Sequence, residues 1–302
     1  MADQSAVAEG LELLSSILQR EQSRGRETVA VSESAEEVLR TLPITLMQRA
    51  QEAPSMTAEP AAVASEPRET ARSARPSGNV DSGSGEESKI REELNRIFKQ
   101  VKNCETCRSL GTLRETVVFA TGNPMADLMF VGEAPGAEEE KERKPFVGPA
   151  GQKLTAIIKA MGLSREDVYI SNIVKYRPKK GDGRFQGSGN RKPTPIEMEA
   201  SIGYLRQEIA LVQPKVIVAL GGTAAEGLLE ESGTISAMRR QDHEFEGVPV
   251  IVTYHPSYLL RQESEPEQDR AKAAKRMVWE DMLKAMERLG MEISERQQGY
   301  FL

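Results

Sequence analysis

A repeating beat of short apolar segments and longer helical ones leaves this chain few architectures to choose from. Segments 128–132, 168–174, 215–220 and 249–254 are each short and apolar, the last three rich in β-branched residues, and stretches 151–161, 195–211, 222–230 and 267–288 carry helical spacing. Strands that alternate with helices predict a parallel sheet covered on both faces. The expected fold is α/β, a three-layer α/β/α arrangement around a central, mainly parallel four-stranded sheet. In such sheets ligands bind beyond the carboxyl ends of the strands. Residues just after each strand are therefore the first candidates for chemistry.

The beat does not fill the chain. Ile90, Leu94, Ile97, Phe98 and Val101 form a helical stripe, and order is expected to begin near Ser88. Residues 1–88 hold eight Arg, no Lys and fifteen Asp or Glu, a balance of −7, against a net charge of −6 for all 302 residues. The acidity therefore belongs to the N-terminal stretch and is no argument against an anionic partner for 89–302. Composition predicts a largely disordered acidic tail, with one amphipathic helix at 8–20 carrying Leu11, Leu14, Ile17 and Leu18. That helix is read either as transient or as a docking peptide for a protein partner. No apolar run is long enough for a bilayer and no signal-peptide layout is present. The two cysteines, Cys104 and Cys107, are too few for a disulfide scaffold. A monomer in the reducing cytoplasm is the expectation.

Four loops carry unusual residues. After the first strand comes Gly132-Glu133-Ala134-Pro135-Gly136, followed by Glu138, Glu139 and Glu140. Then Lys144-Pro145-Phe146-Val147-Gly148 places a large aromatic in a loop. After the second strand stands Asn172, and after the fourth His255-Pro256-Ser257-Tyr258-Leu259-Leu260-Arg261. Each has a plain structural explanation: Phe146 a core plug, Asn172 a turn residue, His255 a cap beside proline. Together at the strand ends of one sheet they offer a stacking surface, an amide to read a base edge and a proton-capable donor.

The ordered series GEAPG, KPFVGPAGQ, SNIVK, ALGGTA and HPSYLLR resembles the uracil-DNA glycosylase superfamily, nearest its iron–sulfur family-4 branch, from about Cys104 to Arg261. The resemblance implies hydrolysis of the N-glycosidic bond of a flipped-out deoxyuridine, leaving an abasic site, with uracil-containing DNA as partner. It implies that Phe146 stacks on the base beside Gly132 and Ala134, and that Asn172 reads its edge. If neighbours fix that amide, cytosine leaves buried groups unpaired, at about 1–3 kcal/mol each. It further implies that His255 donates to uracil O2 as charge develops there. Glu133 and Glu139 are candidates to position water, to stabilise the sugar cation or to shape the pocket against a thymine methyl. In the best-known branch of the superfamily an aspartate stands where this chain has Ala134. HPSYLLR resembles the intercalation loop, with Leu259, Leu260 or Arg261 as wedge. Lys175, Arg177, Lys179, Lys180, Arg184, Arg191 and Lys192, set among glycines, are expected at DNA phosphates.

The same branch holds a [4Fe–4S] cluster on four cysteines. Cys104 and Cys107 match the first pair, but Tyr176 and Ser201 stand at the other two positions, and the chain has no further cysteine. A phenol and an alcohol are poor substitutes for soft thiolates, so no cofactor is expected. Zinc on the two cysteines plus His243 has no spacing rule behind it. Two other readings stand beside uracil excision. One is a DNA-binding or partner-docking protein with weak turnover, and the other a glycosylase for another deaminated base such as hypoxanthine.

Overall fold

The computed structural model describes residues 83–231 and 233–302; the expected helix at 8–20 lies outside them. A first helix, α1 (Gly83–Lys102), starts earlier than Ser88. Its Leu94, Ile97 and Val101 are buried, as their spacing predicts. The short α2 (Glu105–Ser109) and the strands β1 (Leu113–Val117) and β2 (Thr121–Gly122) follow.

The predicted beat then appears: β3 (Leu128–Gly132), α3 (Ala137–Glu142), α4 (Pro149–Ala160), β4 (Tyr169–Asn172), β5 (Tyr176–Pro178), α5 (Pro195–Val212), β6 (Val216–Leu220) and α6 (Gly222–Leu229). The chain continues through α7 (Ile235–Met238), β7 (His243–Phe245), β8 (Val248–Thr253), α8 (Pro256–Ser264), α9 (Gln268–Arg288) and α10 (Glu295–Gln298). Among the described residues no helix is long and apolar enough to cross a membrane.

The main sheet runs β2-β4-β3-β6-β8-β7. Its four inner strands are the expected ones and pair in parallel. The sheet has six strands rather than four, because β2 and β7 close its edges in antiparallel pairing. Strands β1 and β5 form a separate two-stranded sheet. Alternation along each inner strand sorts the core into two layers. Met129, Val131, Ile217 and Ala219 pack with Leu205 and Ile209 of α5 on one face. Leu128, Phe130, Val216 and Val218 pack with Leu154 and Ile158 of α4 and Trp279 and Met282 of α9 on the other. Parallel pairing also brings Gly132, Asn172, Leu220 and Thr253 to one edge of the sheet.

Candidate active site

A cavity of about 420 Å³ opens at that edge. Its wall combines Glu133, Ala134 and Gly136 from the turn after β3, Phe146 from the loop before α4, and Asn172 from β4. Gly221 after β6, and His255, Ser257 and Arg261 at α8, also line it. Sequence reasoning missed Asn190 and Gly221, both of which line it; the ALGGTA motif was the available signal for Gly221.

Phe146 is held in the left-handed region, at φ 54°, which a bulky aromatic adopts only when its surroundings dictate it. Arg165 donates to Phe146 O and Pro145 O, both at 3.0 Å. A Cβ on Gly151 would stand 1.9 Å from Phe146 O, so only glycine admits the loop there. At the ring itself, a Cβ on Gly132 would fall 2.5 Å from Phe146 Cζ and 2.4 Å from Asn172 Oδ1. Gly132 thus gives the aromatic and the amide access to the same spot at the strand end. Among the described residues the Asn172 amide makes no hydrogen bond, and it faces the cavity. No neighbour fixes its orientation.

His255 is both the cap and the pocket residue that the two readings of the sequence proposed. It is the N-cap of α8, and its Nδ1 accepts the Ser257 backbone N–H at 3.1 Å. A backbone N–H can only donate, so Nδ1 is bare and the ring proton sits on Nε2. Burial, with Arg261 adding to it and Glu139 opposing, lowers the imidazole from 6.5 to about 4. The ring is neutral at pH 7 and lies 5.8 Å from Phe146, centroid to centroid. Gly221, at φ 91°, makes room for it, since a Cβ there would stand 2.9 Å from His255 Cβ.

The two carboxylates differ. Glu139 accepts from Val147 N at 3.1 Å, Gly148 N at 2.9 Å and Gly136 N at 3.2 Å, so it ties the β3 turn to the Phe146 loop. Glu133 is raised by burial, against a Thr223 hydrogen bond and the charge of Lys192, and it lines the cavity.

Three expectations need correction. Lys175 is fully buried beneath the site, where its Nζ meets Glu208 Oε1 at 2.5 Å, Ser171 Oγ at 2.6 Å and Asn172 O at 2.8 Å. Burial pushes it below the ordinary lysine range while Glu208 opposes this. Arg177, only 4% exposed, spends its guanidinium on Glu140, Gly187 O, Gly189 O and Asn190 Oδ1. Both side chains are committed to protein partners rather than presented at the surface. Leu259 is 3% exposed and packs on Ala274 and Val278 of α9, so it cannot be the wedge. Half-buried Leu260 and exposed Arg261 remain for that role.

The four positions matching the family's cluster ligands do converge. Cys107 Sγ donates to Ala200 O at 3.4 Å, and Cys107 N donates to Cys104 Sγ at 3.3 Å. Ser201 Oγ accepts from Lys175 N at 3.2 Å, and the Tyr176 hydroxyl donates to Val101 O. Burial raises Cys107 to about 12, with Cys104 adding to it, and raises Tyr176 to about 12. At Cys104 burial is outweighed by hydrogen bonds from Tyr204 and Cys107, and the thiol is lowered. Two thiols, a buried phenol and a bonded hydroxyl do not fit a cubane that needs four soft ligands. His243 is engaged with Met238 O, and among the described residues no three His, Cys, Asp or Glu gather to hold a metal.

Comparison with known proteins agrees with this geometry. The family model of the uracil DNA glycosylase superfamily matches residues 119–283. The Type-4 uracil-DNA glycosylase of Thermotoga maritima is 41% identical over 198 residues, 65% of this chain and 94% of the relative. That of Archaeoglobus fulgidus is 38% identical over 177 residues, 56% and 84% respectively. A Type-5 uracil-DNA glycosylase of Pyrobaculum aerophilum is 30% identical over 195 residues, 54% of this chain and 82% of the relative.

Proposed function

The chain belongs to the uracil-DNA glycosylase superfamily, and we infer that it acts as a uracil-DNA glycosylase that excises uracil from DNA and leaves an abasic site. The duplex hides the glycosidic bond, so the deoxyuridine must swing out into the cavity. Phe146 gives the base a face to lie on, and the Asn172 amide meets its polar edge. The amide carries no protein partner, so it turns to suit the base it meets, and preference for uracil over cytosine comes from the pocket as a whole.

Cleavage of N1–C1′ leaves the electron pair on the pyrimidine, and negative charge gathers on O2. The neutral His255 supplies an Nε2–H donor there. The observation that carries this reading is the Ser257 N–H on Nδ1, which leaves Nε2 as the donor of a ring that lines the cavity. A preorganised donor of this type contributes about 10²–10³ in rate. Glu133, whose side chain no backbone N–H of the described residues ties, is the carboxylate to orient the attacking water or to face the cationic sugar, and Glu139 acts by positioning the loops. Lys192 and Arg261 line the cavity and supply positive charge for flanking phosphates. The iron–sulfur cluster takes no part in this scheme. Protein packing around Tyr176 holds its place. We further propose a monomer in the cytoplasm with the 1–88 stretch available to a protein partner.

The test is alkaline scission of single-stranded and duplex oligonucleotides carrying uracil or hypoxanthine. Scission at uracil, lowered about a hundredfold or more in His255→Asn, is the expected result. Scission at hypoxanthine alone would move the activity to another deaminated base. No scission on any substrate would leave a DNA-binding protein without turnover.

A further inference from the structure

Segment 179–192 contains Lys179, Lys180, Arg184 and Lys192 among four glycines, a composition that by itself describes a solvated loop. The structure gives it an internal frame. Arg177 donates to Gly187 O and Gly189 O at 2.8 and 2.9 Å, Gln186 Nε2 donates to Pro178 O at 2.9 Å, and Arg114 donates to Gly183 O at 2.9 Å. The carbonyls of Gly183, Gly187 and Gly189 are thus satisfied by protein donors, and the buried Arg177 guanidinium, with Arg114 and the Gln186 amide, sets the shape of the loop. That frame holds Phe185 97% exposed at the loop's outer side. Among the described residues the only other strongly exposed large apolar side chains are Ile196, just past the same loop, and Phe301 and Leu302 at the chain's end. The base of the loop meets the uracil cavity, because Asn190, Arg191 and Lys192 line it.

Single exposed apolar residues are common and mean little alone. Here a fully exposed ring is presented by a tied loop, among exposed Lys180 and Arg184 (the latter 3.6 Å from Asp182), and continuous with the rim of a DNA-processing cavity. Basic side chains that track a backbone beside an aromatic that takes a base face are how proteins hold single strands. We propose that Phe185 is a second stacking residue, taking an unpaired base of single-stranded DNA that flanks the extruded uridine, with Lys180 and Arg184 on the adjoining phosphates. A paired base offers no free face, so the contact favours single strands over duplex. The proposal rests on the uracil-excision reading, since the cavity fixes where the strand runs.

The test uses the full chain and a uracil-bearing oligonucleotide, single-stranded and annealed. Phe185→Ala should bind the single strand about tenfold more weakly, a loss typical of one base–aromatic contact, and the duplex nearly as well as the parent. Phe185→Trp adds a reporter to a chain whose sole tryptophan, Trp279, is buried. The emission of that variant should be quenched on adding the single strand. Lys180→Ala with Arg184→Ala should instead flatten the salt dependence of binding. Unchanged single-strand affinity in Phe185→Ala, together with unquenched emission in Phe185→Trp, would overturn the proposal and leave the ring to a protein partner. Equal losses on single strand and duplex would overturn it too. If the parent excises uracil while Phe185→Ala binds normally, only this inference fails; if the parent excises nothing, the functional reading fails first.

Discussion

Acidifying the protein from pH 7 to pH 5 should draw a loss of stability from His255, and the size of that contribution is fixed by the cavity wall. The ring titrates at about 4 when folded against 6.5 when free, because burial and Arg261 disfavour the cation more than Glu139 favours it. Between those values the unfolded chain binds a proton that the folded chain refuses, so stability falls as pH falls through this window. The full difference is about 3 kcal/mol, and roughly 2 kcal/mol of it is gone by pH 5. Glu133 works in the opposite direction, since burial raises it and its folded form takes up protons more readily. A His255→Asn variant cancels that background. Asparagine keeps a cap acceptor for the Ser257 N–H but does not titrate. Urea unfolding of parent and variant at both pH values gives the difference directly: the parent should lose about 2 kcal/mol more than the variant. The chain has only two histidines, so nitrogen-detected NMR can assign the tautomer in the same samples, with the proton expected on Nε2. Equal losses in parent and variant, or a proton on Nδ1, would refute the claim that the pocket holds a neutral donor.

Three further outcomes follow from the geometry. Lys175→Met strands the Glu208 carboxylate in the core and should destabilise the fold by about 3–5 kcal/mol, while Lys175→Met with Glu208→Leu recovers most of it; a single variant as stable as the double one in urea would contradict the buried pair. Tyr176→Cys with Ser201→Cys supplies four thiols at the converging positions, so anaerobic reconstitution with iron and sulfide should give the visible absorption of a cluster. The parent treated alike should stay colourless, and colour there would overturn the misfit argued for its donor set. Gly132→Ala puts a methyl 2.4 Å from Asn172 Oδ1 and 2.5 Å from Phe146 Cζ, and single-turnover excision should slow by about 10²-fold. An unchanged rate would mean that neither side chain needs its present place.

Pattern along the chain settles much of this protein without help. Segments 128–132, 168–174, 215–220 and 249–254 became the four parallel strands because short apolar runs between helices have little choice but a sheet covered on both faces. That pairing then carries Gly132, Asn172 and His255 to one edge, since parallel strands share a direction. The edge strands β2 and β7 were not legible, because two or three residues show no periodicity. Nor was depth. Lys175, Arg177 and Leu259 bear the side chains expected of a DNA surface, yet each is buried. Residue type states which charge or bulk is present, whereas neighbours distant in sequence decide whether water is. Glu208 from α5 neutralises Lys175, the carbonyls of the 183–190 loop absorb Arg177, and α9 covers Leu259. Tertiary structure likewise separated Glu139, tied by three backbone N–H groups, from Glu133, whose side chain no backbone N–H of the described residues ties, although both line the cavity. The chemistry was written locally, and its accessibility was decided only when the layers closed.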